Sequence, residues 1–203
     1  MIAFKGFDGR DGSLTSIHGN GIREKCTFEP GKTYTEEKSK TAREGFHCCE
    51  NPFECLAYYP LNGRNRYFRV EAAGDIDEDG GERIACTQIT LLEELSPAGI
   101  AYYGMRYMIE HPDRENWQQS HLSVQVREEK AEADSPRHIA IARGKAAPRV
   151  RGAAGSILGL IKEDDQGIRY AKLLNLEMNK DLAGKWLGFD EEGRVMILED
   201  ETD

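Results

Sequence analysis

Nowhere in this chain do apolar residues run on for the roughly 18 positions that a membrane-spanning helix needs. Met1-Ile2-Ala3-Phe4-Lys5 lacks the charged-then-apolar pattern of a secretory signal, so a cytoplasmic location and no membrane partner are expected. Basic residues are outnumbered, 27 Lys and Arg against 36 Asp and Glu. The resulting net charge of −9 argues against a general nucleic-acid binder, which wants a basic face. A Cys-x-x-Cys pair is also missing. Five cysteines, an odd number in no regular framework, fit reduced thiols better than disulfides. Phosphate-loop, dinucleotide and serine-hydrolase fingerprints are absent. Gly9-Arg10-Asp11-Gly12 and Gly19-Asn20-Gly21 read as turn glycines, because no strand–helix context surrounds them. No cofactor is expected on these grounds.

The densest chemistry present is Gly45-Phe46-His47-Cys48-Cys49-Glu50-Asn51-Pro52-Phe53-Glu54-Cys55-Leu56-Ala57-Tyr58-Tyr59-Pro60. Its first five residues read as a buried strand. Asn51 suits an N-cap, Pro52 the first helical position, and Glu54 the place of a capping-box acid. Phe53, Leu56 and Ala57 fall at helical spacing, and Pro60 stops the helix. A strand end meeting a helix N-terminus is a natural place for a polar ligand.

Around this stretch, Ile2-Ala3-Phe4-Lys5-Gly6-Phe7 reads as a strand and residues 8–13 as a turn. Residues 21–28 are expected to be extended, then to turn at Glu29-Pro30-Gly31-Lys32 and continue extended to Thr35. Residues 36–44 form a polar connection. Alternation predicts strands over 66–72 and 83–92. Between them, residues 75–81 read as an acidic turn. Asp75-x-Asp77-x-Asp79-Gly80 has the opening of a calcium loop, but Cys86 stands where the twelfth-position acid belongs. Ser96-Pro97 opens a second helix that runs to Glu110, with Gly99 and Gly104 permitting close packing. The polar stretch 113–119 marks the expected boundary between an N-terminal α+β domain, residues 1–115, and a β-rich segment, residues 120–203.

Beyond it, Leu122-Ser123-Val124-Gln125-Val126, Ile139-Ala140-Ile141-Ala142 and Ile157-Leu158-Gly159-Leu160-Ile161 recur roughly every seventeen or eighteen residues. Short strands at a loose fixed spacing with Gly/Ala-rich joints point to stacked β-coils, though hairpins give the same text. Residues 168–176 read as a strand. Asp190-Glu191-Glu192-Gly193 reads as the turn of a hairpin between Lys185-Trp186-Leu187-Gly188-Phe189 and Arg194-Val195-Met196-Ile197-Leu198. Arg137, Arg143, Lys145, Arg149 and Arg151 make a local basic run that reads as a solvated face. The fold class is therefore α+β, mostly β, with two short helices. Small-residue strands, with Trp186, Leu187 and Phe189 as an apolar surface, lead us to expect self-association through residues 120–198.

His47, Cys48 or Cys49, and Cys55, with Cys26 or Cys86, supply donor types that suit zinc. Adjacent Cys48 and Cys49 point to opposite faces of a strand, which works against a shared metal, and no metal is expected. His47 and Cys49, two apart on a strand, sit too far apart to pair as a catalytic couple.

Phe4-Lys5-Gly6-Phe7, Glu29-Pro30-Gly31-Lys32-Thr33-Tyr34, Gly45-Phe46-His47-Cys48-Cys49-Glu50-Asn51-Pro52 and Tyr58-Tyr59-Pro60 resemble an uncharacterised domain family of phage and prophage proteins. Val70-Glu71-Ala72 and the 92–103 region fit it too. In that family Ala/Gly/Ser-rich repeats often follow, and residues 139–144 and 152–156 look like a short, degraded version. The resemblance implies a phage-associated interaction or structural module with a protein or second copy as partner. It carries no known activity. The order of Lys5-Gly6, Gly45-Phe46-His47, Asn51-Pro52 and Tyr58-Tyr59 is also similar to ADP-ribosyltransferase-like domains. That similarity implies an NAD site lined by Lys5, His47, Asn51 and Tyr58, for which Glu71, Glu93 and Glu94 are the candidate catalytic acids.

Overall fold

A computed structural model describes residues 1–17, 25–41, 43–78, 83–114 and 117–199. The chain divides into two compact units, Met1–Ser96 and Pro97–Asp203. Each is β-rich, as the sequence implies.

The first unit contains β1 (Ile2–Phe7), β2 (Leu14–Ile17), β3 (Lys25–Phe28), β4 (Thr33–Thr35), β5 (Phe46–Cys49), the short α1 (Cys55–Tyr58), β6 (Arg66–Glu78) and β7 (Arg83–Leu95). β5 pairs with β1 and with β7, β1 pairs with β6, and β6 pairs with β7, all antiparallel. The pairings therefore run in a ring. β4 pairs with β7 beside β5, and β2 with β3 makes a separate hairpin. Alternation sends Ala3, Phe7, Phe46, Cys48, Phe68, Val70, Ala72, Ile84, Cys86, Ile89 and Leu91 to the inner face. There they form one buried cluster with Leu14 and Phe28 of the hairpin. Burying each large apolar side chain contributes about 1.5–3 kcal/mol.

Two features of this unit differ from expectation. β2 lies in a stretch that carries no prediction, and part of the expected 21–28 strand falls outside the described residues. The larger difference is β6, which continues through Asp75-Ile76-Asp77-Glu78, where the sequence predicts a turn. The strand tolerates these acids because Ser39, Lys40 and Thr41 serve them. Asp77 accepts from the Thr41 hydroxyl at 2.6 Å, the Thr41 N–H at 2.7 Å and the Lys40 ammonium at 2.9 Å. Asp75 accepts from the Ser39 hydroxyl at 3.0 Å. A register shift between Ala73 and Ile76 and a positive φ at Gly74 bend the strand there.

The second unit opens with α2 (Pro97–Glu110), then β8 (Gln119–His121), β9 (Val124–Glu128), β10 (Lys130–Ala133), β11 (Ile139–Gly144), β12 (Arg149–Gly152), β13 (Ile157–Asp164), β14 (Gly167–Asn175), β15 (Leu187–Phe189) and β16 (Val195–Ile197). β9, β11 and β13 pair parallel, with Val124, Ile139 and Ile157 in register. β10 and β12 pair parallel in a second sheet, with Lys130 opposite Arg149. The chain thus winds back and forth between two sheets, as the recurring apolar cores imply. Ala131, Ala133, Ala140, Ala142, Val150, Leu158, Leu160 and Leu187 fill the space between them. Alanine at four of these positions keeps the two sheets close.

Coil corners are tied by a residue that no sequence pattern announces. Glu129 sits between β9 and β10 at φ 58° and accepts from the Ala146 and Ala147 N–H groups at 2.8 Å each. Gly144 leaves the room, because a Cβ there would meet the Glu129 carboxylate.

The division between units falls before Pro97, not within 113–119. α2 packs against β13 and β14, and a buried Arg143 holds Pro112 and Trp117 in place. Its Nη2 donates to the Pro112 carbonyl at 2.8 Å and to Glu163 Oε1 at 2.6 Å. Its guanidinium also lies 4.9 Å from the Trp117 ring centroid. Arg143 therefore belongs to the interior, against its sequence assignment to a solvated face. Trp186 and Leu187 are likewise buried within this unit, so they do not form the open apolar surface expected of them.

Two outcomes check this packing. Gly159 faces α2, and a Cβ there would lie 2.7 Å from Met105 Sδ and 2.8 Å from Ile141 Cγ1. Gly159→Ala is expected to destabilise the chain by about 1–3 kcal/mol through overpacking, read by urea denaturation. Asp77 is held well below the usual carboxylate range, first by the Thr41 hydroxyl, then by the Thr41 N–H and Lys40. A depressed folded value contributes stability above the unfolded value of about 3.9, and that stability is lost as pH falls below it. Melting curves of Asp77→Asn should therefore show lower stability at neutral pH and a shallower loss on acidification below about pH 4.

Candidate functional site

The strand–helix junction forms as its local signals dictate. β5 ends at Cys49, Asn51 takes extended backbone, and its side-chain oxygen accepts the Phe53 N–H at 3.0 Å. A short 3-10 turn from Pro52 to Glu54 then leads into α1. Phe53, Cys55 and Leu56 are buried against the outer face of the ring. On that face Gly6 gives Tyr59 its place, since a Cβ on Gly6 would lie 2.6 Å from the Tyr59 ring. The Tyr67 hydroxyl donates to the Tyr59 carbonyl at 2.7 Å, and burial pushes its pKa well up.

The four residues expected to line one cleft are distributed differently. Lys5 belongs to the inner face. It is 6% exposed, donates to the His47 carbonyl at 2.6 Å, and stands 5.5 Å and 5.9 Å from the Phe7 and Phe28 ring centroids. The His47 side chain alternates with Phe46 and Cys48, so it points to the outer face. Asn51 is buried and committed to the cap. Tyr58 is 59% exposed. Thus β1 and β5 bring Lys5 to the His47 backbone and place their two side chains on opposite sides of the sheet. Of the candidate acids, Glu94 binds Arg66 through two contacts of 2.6 Å, Glu93 lies 3.3 Å from Arg69, and Glu71 is exposed on β6.

The thiols sort by face as strand geometry requires. Cys48 and Cys86 meet inside the ring, and Cys49 and Cys55 meet outside it. The Cys48 thiol donates to Cys86, which with burial pushes Cys48 well up and holds Cys86 down. Cys55 donates to Cys49, and its own pKa is pushed well up. All four are buried and free, and Cys26 has no described side chain. Among the described residues, no group of three or more His, Cys, Asp or Glu is placed to hold a metal.

A second constellation lies on the outer face of the small sheet β10-β12-β15-β16, and sequence reasoning missed it. Strand alternation points Lys130, Glu132, Arg149 and Arg151 outward, while Ala131, Ala133 and Val150 point into the coil. Trp186, just before β15, lies among them. The Lys130 ammonium and the Arg151 guanidinium are each 4.6 Å from its ring centroid, and Arg149 is 5.5 Å away. Arg151 also binds Glu132 Oε2 at 2.6 Å and 3.1 Å. Beside them a shallow cleft of about 290 Å³ is lined by Glu132, Asp134, Arg151 and the small residues Ala133, Gly152 and Gly184. The residues come from positions 130 to 186, so only the stacked coil brings them together.

The fold and these sites define a two-unit, mostly β protein with a junction motif in the first unit. Residues 1–102 match the family described as a domain of unknown function, DUF7666, and the chain belongs to that family. No curated protein and no solved structure matches the chain.

Asn51 supplies the check on the junction. Asn51→Ala should lower stability by about 0.5–2 kcal/mol by removing the cap, and Asn51→Asp should keep most of it. Urea denaturation of the two variants separates these outcomes.

Proposed function

We propose that the chain is a non-enzymatic interaction or structural module of phage or prophage origin, and that its second unit associates with another copy. The observation that carries this reading is β16, the edge of the small sheet, with Met196 and Ile197 43% and 48% exposed. An edge strand with exposed apolar side chains is a template for pairing with another strand. A second copy fits it, because antiparallel pairing of one edge with itself closes a two-fold dimer. The turn that presents β16 is well made. Asp190 Oδ1 accepts from the Glu192 and Arg194 N–H groups at 2.9 Å and 2.8 Å, and Gly193 has φ 78°. The β-coil of the second unit fits the same reading. Described helices include none long and apolar enough to cross a membrane.

Light scattering across a wide concentration range tests this. A dimer mass that returns to the monomer in Ile197→Lys is the expected result. A monomer at every concentration overturns the reading.

A further inference from the structure

Two pairs of thiols stand back to back on one four-residue strand. Cys48 and Cys49 are neighbours on β5 and face opposite ways. Cys48 meets Cys86 inside the ring, Cys49 meets Cys55 outside it, and all four are free.

The two pairs differ in what holds them. Cys48 lies opposite Ile84 and Cys86 opposite Phe46, so the inner pair is a diagonal across β5 and β7. Diagonal neighbours on antiparallel strands stand about 7–8 Å apart, beyond the Cα separation of about 4.4–6.8 Å that a disulfide spans. Both strands are also fixed on their other edges, β5 by β1 and β7 by β6. The outer pair joins the last residue of β5 to the first residue of α1. Cys55 lies on a helix of four residues, not in a ladder, and the approach to that helix rests on the Asn51 cap at the Phe53 N–H. So short a helix has little stability of its own and moves readily. Cys49 is the residue through which β5 reaches β1, opposite Phe4.

We propose that Cys49 and Cys55 form a reversible disulfide when the chain meets a hydroperoxide, clamping α1 to the residue that closes the ring. The Cys55 S–H donates to the Cys49 sulfur. Once the pair loses a proton, the charge therefore rests on Cys49, and the thiolate is the form that reacts. The same bond, together with burial, pushes the Cys55 thiol well up, so Cys55 stays protonated while Cys49 reacts. The Cys49 thiolate attacks one peroxide oxygen. An S–O bond forms, the O–O bond breaks, and the other oxygen leaves with a proton as water or an alcohol. Cys55 then attacks the sulfenic sulfur. The S–S bond replaces the S–O bond, and hydroxide leaves with the Cys55 proton as water. Two electrons pass from the two thiols to one peroxide, and a small thiol reverses the step by exchange. At 6% and 4% exposure the two sulfurs are reached when α1 lifts, so the Asn51 cap sets how often peroxide enters.

The test treats the native full chain with hydrogen peroxide, then unfolds it, alkylates it with iodoacetamide and reads its tryptic peptides by mass spectrometry. Peptide 44–64 carries Cys48, Cys49 and Cys55, and Cys86 falls in peptide 84–106. The expected result is peptide 44–64 with one alkyl group, on Cys48, and a disulfide between Cys49 and Cys55, with Cys86 alkylated in full. Dithiothreitol before alkylation should restore all three alkyl groups. In Cys55→Ser the clamp is lost, and dimedone, which traps sulfenic acids, should label Cys49. Asn51→Ala loosens the cap and should speed clamp formation by about threefold or more. Three alkylated thiols in peptide 44–64 after peroxide overturn the proposal. A cross-link between the two peptides does so too, as do dimedone on Cys48 in place of Cys49 and a rate unchanged in Asn51→Ala.

Discussion

The first unit depends on a four-residue strand. β5 joins β1 to β7 opposite β6 and so closes the ring, and its pairing with β1 is brief, Phe4 opposite Cys49. Such a short ladder needs help. The Lys5 ammonium provides it, crossing the inner face to donate to the His47 carbonyl at 2.6 Å. Placing a lysine there is expensive unless its charge is served. The Phe7 and Phe28 rings serve it together with that carbonyl, so the ring's closure and its aromatic core stabilise each other. The Asn51 cap then sets the chain's exit from β5 and brings α1 over the outer face.

The second unit follows a different constraint. A parallel in-register stack places residues of successive coils directly above one another. Inward positions gain from this, since Ala140 and Leu158 or Ala142 and Leu160 simply extend the core. Outward positions inherit whatever charges the spacing brings into line. One column pairs Glu132 with Arg151, and the next sets Lys130 against Arg149. The second pairing is tolerated because Trp186 arrives from outside the repeat to stand against both cations. Antiparallel strands β8, β14 and β15 close three ends of the stack, and β14 starts at Gly167 with φ 115°.

What could be read from sequence was local. Asn51-Pro52 and Ser96-Pro97 announce helix starts within four residues, and both helices begin there. The coil was legible because its apolar cores repeat at nearly constant spacing, and the parallel register of β9, β11 and β13 resolves them into coils rather than hairpins. The second layer was not legible: β10 and β12 are Lys-Ala-Glu-Ala and Arg-Val-Arg-Gly, too charged to read as core strands. Asp75 and Asp77 read as a turn because their partners, Ser39, Lys40 and Thr41, lie 36 or 37 residues earlier. The domain boundary was misplaced for the same reason. Arg143 anchors Pro112 across 31 residues, so a stretch that looks like a linker is part of the second unit. Of the candidate site, the junction's backbone was readable. The faces its side chains take depend on which strands β5 joins, and no local pattern carries that.

This contrast bears on where function resides. In the first unit the conspicuous residues are used up by the fold: Lys5 closes the ring, Asn51 caps a turn, and the cysteines pair in the interior or under α1. A motif dense in chemistry is there explained by a short strand that must be fixed on both sides. In the second unit the inconspicuous residues are the ones that the fold gathers on one outer sheet face. Lys130 stands opposite Arg149 there, and the Trp186 ring stands against both cations, a contact that only the stacked coil creates.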